Sequence, residues 1–282
     1  LRTPADAGVK LVKGSHIVVP RIHAYEHAYL LQNTDKRVIF VIPYERDFSL
    51  IGTTDVAINS LAEADGISAE ETRYLLRAVN QYLVKPLHET DVVWSYAGVR
   101  PLYDDGSNDP SKVTRDYTLM VDDRAGKLPL LSIFGGKITT YRKLAEHVLS
   151  DLAPYYPEMS PAWTHAQPLP GGDFDDAREL LASLQQSHSG IAPDYLARLL
   201  NRHGTNAESV LSGVRSFADL VAVFGSGMNL LCEREIDYCI AREWARQPDD
   251  IFWRRTKCGL HMDGAERERA ASFIREKLKV QH

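Results

Sequence analysis

The sequence predicts an α+β protein: a mostly antiparallel sheet with one helix packed on it, then a returning strand and helix, then an all-α C-terminal part. Three observations point there. The first 134 residues are rich in short β-branched and aromatic runs bounded by turn residues. A single strongly amphipathic stretch interrupts those runs, and beyond a proline-rich segment the chain reads as helices only. The predicted divisions are 1–126 for the sheet domain, 127–152 for the strand and helix, 153–172 for a linker and 173–282 for the helical domain.

The strand signals are SHIVVP (15–20), AYLLQ (28–32), RVIFVIP (37–43), FSLIGTT (48–54), VVWSYAGVRP (92–101) and YTLMVD (117–122). VDDRAGKLPLLSIF reads as a hairpin with Asp122 to Gly126 as its loop. Ser68 with Glu71 forms a capping-box pattern and opens a helix to about Lys85, with Leu75, Leu76, Val79, Tyr82 and Leu83 on one face. A second helix after the glycines at 135–136 turns Leu144, Ala145, Val148, Leu149 and Leu152 to one side. Residues 153–172 hold five prolines and end on Gly171-Gly172, the composition of a linker. In the helical part Pro193 suits a first turn, Asp263 with Glu266 makes another box, and Gly204, Gly213 and Gly259 suit stops.

Bulk properties narrow the classes. The 282 residues suffice for two cores, and 44% hydrophobic with 25% charged residues is ordinary for a globular chain. A net charge of −5 gives no electrostatic case for nucleic acid. No apolar run approaches the length of a membrane span, and no signal peptide is visible. Cys232, Cys239 and Cys258 form no C-x-x-C pair and read as reduced thiols, the first two as core-facing. The chain begins at Leu1 and runs almost at once into strand-like sequence, so it is expected to be a piece of a longer protein.

The chemistry concentrates in a few places. FGGKITTYRKLAEHVL (134–149) ends a strand, supplies two glycines and a lysine, and opens a helix. Such a turn brings backbone amides and a positive dipole end to an anionic or electron-rich ligand. It is equally the make-up of a plain tight turn, and the G-x-G-x-x-G fingerprint that would name a nucleotide is nowhere in the chain. Arg100, Arg115 and Lys137 stand at strand ends, where each needs an anion. Asp104, Asp105 and Asp116 are internal candidates, and a bound phosphate or carboxylate is the alternative. His16 opens a strand after a glycine and a serine; there it is either a structural residue or a base that takes a proton from an alcohol. LIGTTD (50–55) reads as a β-turn, with a ligand role as the weaker reading. His23 and His27 have the spacing of a metal pair, but no third ligand accompanies them and no metal site is assigned.

KGSHIVVPR, RVIFVIPYERDFSLIGTTD, WSYAGVRPL, TRDYTL, FGGKITTYRKLAEHVL and EREIDYCIAREWARQPDDIFWRRTKCGL together resemble the FAD-dependent glycerol-3-phosphate dehydrogenases of the aerobic, respiratory type. The resemblance runs over nearly the whole chain, yet the G-x-G-x-x-G region that opens that family is missing. It implies a C-terminal portion of such an enzyme: residues 1–126 as its substrate-binding domain, 127–152 as the return to the FAD domain, and 173–282 as its helical domain. It further implies that Gly135, Gly136, Lys137, Ile138 and Thr139 face the pyrimidine side of the flavin, that Arg100, Arg115 and Lys137 hold glycerol 3-phosphate, and that His16, Arg100 and Lys137 form the catalytic group. His16 is then the candidate base for the C2 hydroxyl proton, with Lys137 or an arginine as alternatives.

The implied reaction yields dihydroxyacetone phosphate and passes electrons to a quinone, in a peripheral enzyme on the inner, cytoplasmic face of the membrane, with a homodimer among the assemblies allowed. The alternatives are a non-catalytic anion-binding or interaction fragment without FAD, and an oxygen-using glycerol-3-phosphate oxidase. The isolated chain is expected to be inactive and to bind FAD poorly, because the adenine and pyrophosphate pocket lies in the region it lacks.

Overall fold

The computed structural model describes residues 8–104, 114–123, 128–227 and 230–280. They fall into two compact units that divide between Ala166 and Gln167.

The first unit is organised by its longest strand, β1 (Val9–Pro20). β6 (Trp94–Tyr103) pairs along it from Val9 to Val18, and the other edge of β1 is shared. There β4 (Phe48–Gly52) pairs with His16 to Pro20, while β5 (Val56–Ile58) pairs with Leu11 to Lys13. β2 (Tyr29–Gln32) and β3 (Val38–Tyr44) extend the sheet beyond β4, giving the order β2-β3-β4-β1 with every pairing antiparallel. A hairpin of β7 (Tyr117–Asp122) and β8 (Leu130–Gly135) follows, and part of its predicted loop lies outside the described residues.

α1 (Ala69–Asn80) covers one face of the sheet. Its Leu75, Leu76, Ala78 and Val79 join Ile17, Val19, Ile39, Val41 and Ile51 in one buried cluster, which alternation along the strands and helical spacing both dictate. The predicted box is present: Glu71 N donates to Ser68 Oγ at 3.1 Å, and Ser68 N to Glu71 Oε2 at 3.0 Å. The helix ends at Asn80, short of Lys85, so Tyr82 and Leu83 lie beyond it. The reason is local. The Asn80 amide donates to Leu87 O at 2.9 Å and accepts from Leu87 N at 2.8 Å, folding the chain back just after Pro86.

α2 (Tyr141–Leu152) follows a single 3-10 turn at Ile138–Thr140 and so starts later than the glycines suggest. No residue of α2 is buried, and its predicted apolar face keeps Leu149 half exposed.

The second unit holds α3 (Ala177–Ser187), α4 (Pro193–His203), α5 (Ala207–Val210), α6 (Glu233–Arg242) and α7 (Gly264–Val280). It is not helical throughout: β9 (Val223–Phe224) and β10 (Leu231–Cys232) pair as a small ladder, too short to leave a periodic signal. One core gathers Leu184, Tyr195, Leu199 and Leu220, another Ile236, Ile251, Phe252 and Ile274. Pro193 does open α4, and Asp263 with Glu266 does cap α7, Glu266 N donating to Asp263 Oδ1 at 2.7 Å. The three cysteines are free and buried, and burial pushes the Cys232 and Cys258 thiols up to about 11.

Candidate active site

Alternation along β1 separates two chemistries. Lys13, Ser15, Ile17 and Val19 point toward α1, whereas Gly14 and His16 belong to the opposite face. Register carries that face across the sheet: Tyr96 and Gly52 flank His16, Gly98 lies beside Gly14, and Arg100 beside Val12. Three glycines therefore form the floor on which His16, Tyr96 and Arg100 stand.

The close approach is real at two of them. A Cβ on Gly52 would lie 2.1 Å from Cδ2 of His16, and one on Gly14 would lie 2.6 Å from Nη2 of Arg100. The His16 ring stacks on Tyr96 at 4.9 Å between centroids and 7° between planes. Its Nδ1 is buried with no hydrogen-bond partner among the described residues. Burial first, and then the positive charge of Arg100, lower the His16 pKa to about 4, so the ring is neutral at physiological pH. A base with a pKa near neutrality is what the sequence suggests; the structure places it well below.

Arg100 is held by the turn that joins β4 to β5. Its Nη1 donates to Asp55 Oδ1 at 2.8 Å and its Nη2 to Thr53 Oγ1 at 3.3 Å. Arg115 Nη2 approaches the same carboxylate oxygen at 3.8 Å. The internal anion for Arg100 is thus Asp55 of LIGTTD, in place of the candidates nearer in sequence. Asp104 pairs with Lys10 at 2.7 Å, Asp116 lies 3.8 Å from Lys137, and Asp105 is outside the described residues. Among the described residues two guanidiniums share one carboxylate, which leaves positive charge over, and both are partly exposed.

The Gly-Gly-Lys turn comes to the same end of β6. Gly135 and Gly136 have φ of +73° and +101°, a region that favours glycine. A Cβ on Gly135 would lie 3.1 Å from the amide nitrogen of Tyr103 and 3.6 Å from Pro101 O. Lys137, Ile138 and Thr139 beyond it are exposed, Ile138 to 88%. The glycines thus lead into the 3-10 turn Ile138–Thr140, which opens beside the end of β6.

On the far face a buried carboxylate ties the sheet to α1. Glu71 Oε1 accepts from Ser15 Oγ at 2.7 Å and Thr54 Oγ1 at 2.8 Å, while Oε2 pairs with Lys13 Nζ at 2.8 Å. Burial raises the pKa of Glu71, but Lys13, the Ser68 amide and the two hydroxyls outweigh it and bring it down to about 2.

The structure gathers His16, Arg100 and Arg115 around one turn and sets Gly135 against the end of β6, while Lys137 reaches Asp116. Sequence reasoning missed Tyr96 as part of the site and Glu71 beyond its capping role, and it took Thr53 and Asp55 of LIGTTD first as a plain turn, without their contacts to Arg100. One signal was present: G-x-H on β1, Y-x-G-x-R on β6 and G-T-T-D after β4 each put small and polar residues on alternate positions, where strands otherwise carry apolar ones.

Fold and site together define a domain whose antiparallel sheet carries a neutral histidine and a positioned arginine on one face. Residues 2–142 match the model of the FAD dependent oxidoreductase family, and residues 162–280 match that of the C-terminal domain of alpha-glycerophosphate oxidase. The chain belongs to the FAD-dependent oxidoreductase family. It is 45% identical over 277 residues to the aerobic glycerol-3-phosphate dehydrogenase of Escherichia coli (strain K12), covering 98% of this chain and 55% of that protein. It is also 45% identical over 272 residues to the D-erythritol 1-phosphate dehydrogenase of Brucella abortus (strain 2308), covering 96% and 53%. Among solved structures it resembles the glycerol-3-phosphate dehydrogenase of Bacillus halodurans complexed with FAD, at TM-score 0.69 and 25% identity over 99% of this chain and 58% of that one. The chain spans about half the length of the curated relatives it matches.

Proposed function

We propose that this chain is the substrate-binding and helical part of an enzyme that oxidises glycerol 3-phosphate to dihydroxyacetone phosphate. The observation that carries the reading is a neutral histidine beside a positioned arginine on a glycine floor, in a chain of this family. Arg100 and Arg115, with Lys137, hold the phosphate. Arg100 serves best because Asp55 and Thr53 fix its plane and, among the described residues, accept from only two of its N–H groups.

His16 takes the hydroxyl proton of C2. In the free site burial, and after it the Arg100 charge, hold its basicity down. A bound phosphate dianion offsets that charge, so His16 becomes a stronger base when substrate is in place. Gly135, Gly136, Lys137, Ile138 and Thr139 would hold the pyrimidine end of FAD, and the exposed turn and its glycine cradle fit such a group. When bound, FAD supplies the acceptor for the hydride leaving C2.

Onward transfer to a quinone at the inner face of the cytoplasmic membrane, by a peripheral enzyme, rests on the resemblance to the respiratory type. No helix among the described residues is long and apolar enough to cross a membrane.

The test is anaerobic stopped-flow reduction of the flavin-loaded intact enzyme. Glycerol 3-phosphate is expected to bleach the flavin, and a soluble quinone to reoxidise it faster than oxygen does. A flavin that stays oxidised with glycerol 3-phosphate overturns the reading. Reduction by D-erythritol 1-phosphate in its place would move the proposal to a longer polyol phosphate, and faster reoxidation by oxygen would make the enzyme an oxidase.

A further inference from the structure

We propose that Glu71, on the face of the sheet away from the site, is a positioning residue that sets the orientation of Arg100 through Thr54. The inference rests on the reading of Arg100 as a phosphate-binding residue.

The turn between β4 and β5 has three residues, Thr53, Thr54 and Asp55, and they alternate in direction. Thr53 and Asp55 each contact the Arg100 guanidinium, at 3.3 and 2.8 Å. Thr54 points the other way. Its Oγ1 donates to Glu71 Oε1 at 2.8 Å and accepts from the Ser15 amide at 2.9 Å. The turn interrupts the ladder, since β4 pairs with β1 as far as His16 and β5 resumes at Lys13. The backbone bond from Thr54 N to Ser15 O is long at 3.4 Å. What fixes the turn is therefore the side chain of Thr54, and through it Glu71.

Helix capping accounts for one of the four contacts of the Glu71 carboxylate. The capping box needs Oε2 at the Ser68 amide and nothing more. Oε1 instead gathers Ser15 and Thr54, and Lys13 is buried with it. An ion pair so deeply buried adds little net stability, and a role in specifying one local arrangement is the better-attested reason for such a pair. Here the arrangement specified is the register of Thr53 and Asp55. If Thr54 loosens, the plane of the guanidinium is released, and misplacement by about 1 Å is enough to cost up to roughly 100-fold in a bound reaction.

The test uses the flavin-loaded intact enzyme and compares Arg100→Ala, Thr54→Val, Thr54→Ser and Glu71→Gln. The readouts are kcat, KM for glycerol 3-phosphate, the inhibition constant of inorganic phosphate, flavin content and Tm. Thr54→Val is expected to raise KM and the phosphate inhibition constant together by about 10-fold or more, with a smaller change in kcat. Glu71→Gln should do the same, and Thr54→Ser, which keeps the hydroxyl, should return both constants to within about 3-fold of wild type. Thr54→Val leaves the Lys13–Glu71 pair intact, so it carries the test even where Glu71→Gln fails to fold. If Arg100→Ala weakens phosphate inhibition while Thr54→Val leaves it at wild type, the positioning role is overturned and the phosphate site stands. If Arg100→Ala itself leaves phosphate inhibition unchanged, the phosphate reading fails first. A Thr54→Val enzyme with lower kcat or Tm and an unchanged phosphate constant also overturns the proposal.

Discussion

Gly52 lies directly across from His16 on the neighbouring strand, and the histidine ring occupies the space where a side chain at 52 would begin, with Cδ2 only 2.1 Å from an ideal Cβ. The clash is with a ring held on its other side by Tyr96, so neither can give way freely. Gly52→Ala is expected to displace His16, destabilise the fold by about 1 to 3 kcal/mol, and slow flavin reduction by at least about 10-fold. Denaturant unfolding and stopped-flow reduction check it. A variant with wild-type rates would show that the position of His16 is immaterial.

Arg100→Ala removes the fork but leaves Asp55 with Arg115 nearby, so folding should change little. Loss of a charge-assisted contact predicts a fall in kcat/KM for glycerol 3-phosphate of about 30- to 1000-fold, equivalent to roughly 2 to 4 kcal/mol. Steady-state kinetics alongside thermal melts separate the two effects, and a kcat/KM close to wild type would remove Arg100 from the site.

His16→Asn is expected to lower kcat by about 10² to 10⁴. The pH profile adds a sharper test. With the free-enzyme pKa lowered to about 4, the acidic limb of kcat/KM should lie near pH 4 and vanish in the variant. The corresponding limb of kcat should lie higher, because bound phosphate offsets the Arg100 charge. Equal limbs in both profiles would contradict the coupling between the two residues.

Acid should weaken the sheet–helix junction in a defined window. Glu71 titrates near 4.5 ordinarily and at about 2 in the folded protein, so its contribution is fully present above about pH 4.5 and is lost as pH falls toward 2. His16 acts in the same direction over a higher range, losing stability as pH falls from 6.5 toward about 4. Urea unfolding from pH 7 to pH 2.5 should therefore show a steep loss in the lower window that is absent from Glu71→Gln. An unchanged slope in that variant would place the acid sensitivity elsewhere.

Local chemistry in the sequence determined a good deal by itself. Alternating β-branched runs marked β2, β3, β4, β6 and the second half of β1, though not β5 or the start of β1, while Ser68 with Glu71 marked the start of α1, Asp263 with Glu266 the cap of α7, and Pro193 the start of α4, because each depends on neighbours within one or two turns of chain. The resemblance to flavin-dependent dehydrogenases was legible for the same reason: its motifs are short and contiguous. The tertiary structure alone decided which residues meet. Asp55 reaches Arg100 across 45 positions and Ser15 reaches Glu71 across 56, and no periodicity encodes such a pairing. The fate of Asn80, which closes on Leu87 and ends α1 early, is likewise a competition between two hydrogen-bonding arrangements that the apolar pattern does not register. Register decided the rest. Once β1, β4 and β6 pair as they do, the period of two puts His16, Tyr96 and Arg100 on one face and Ser15 with Lys13 on the other, and a slip of a single residue would exchange them.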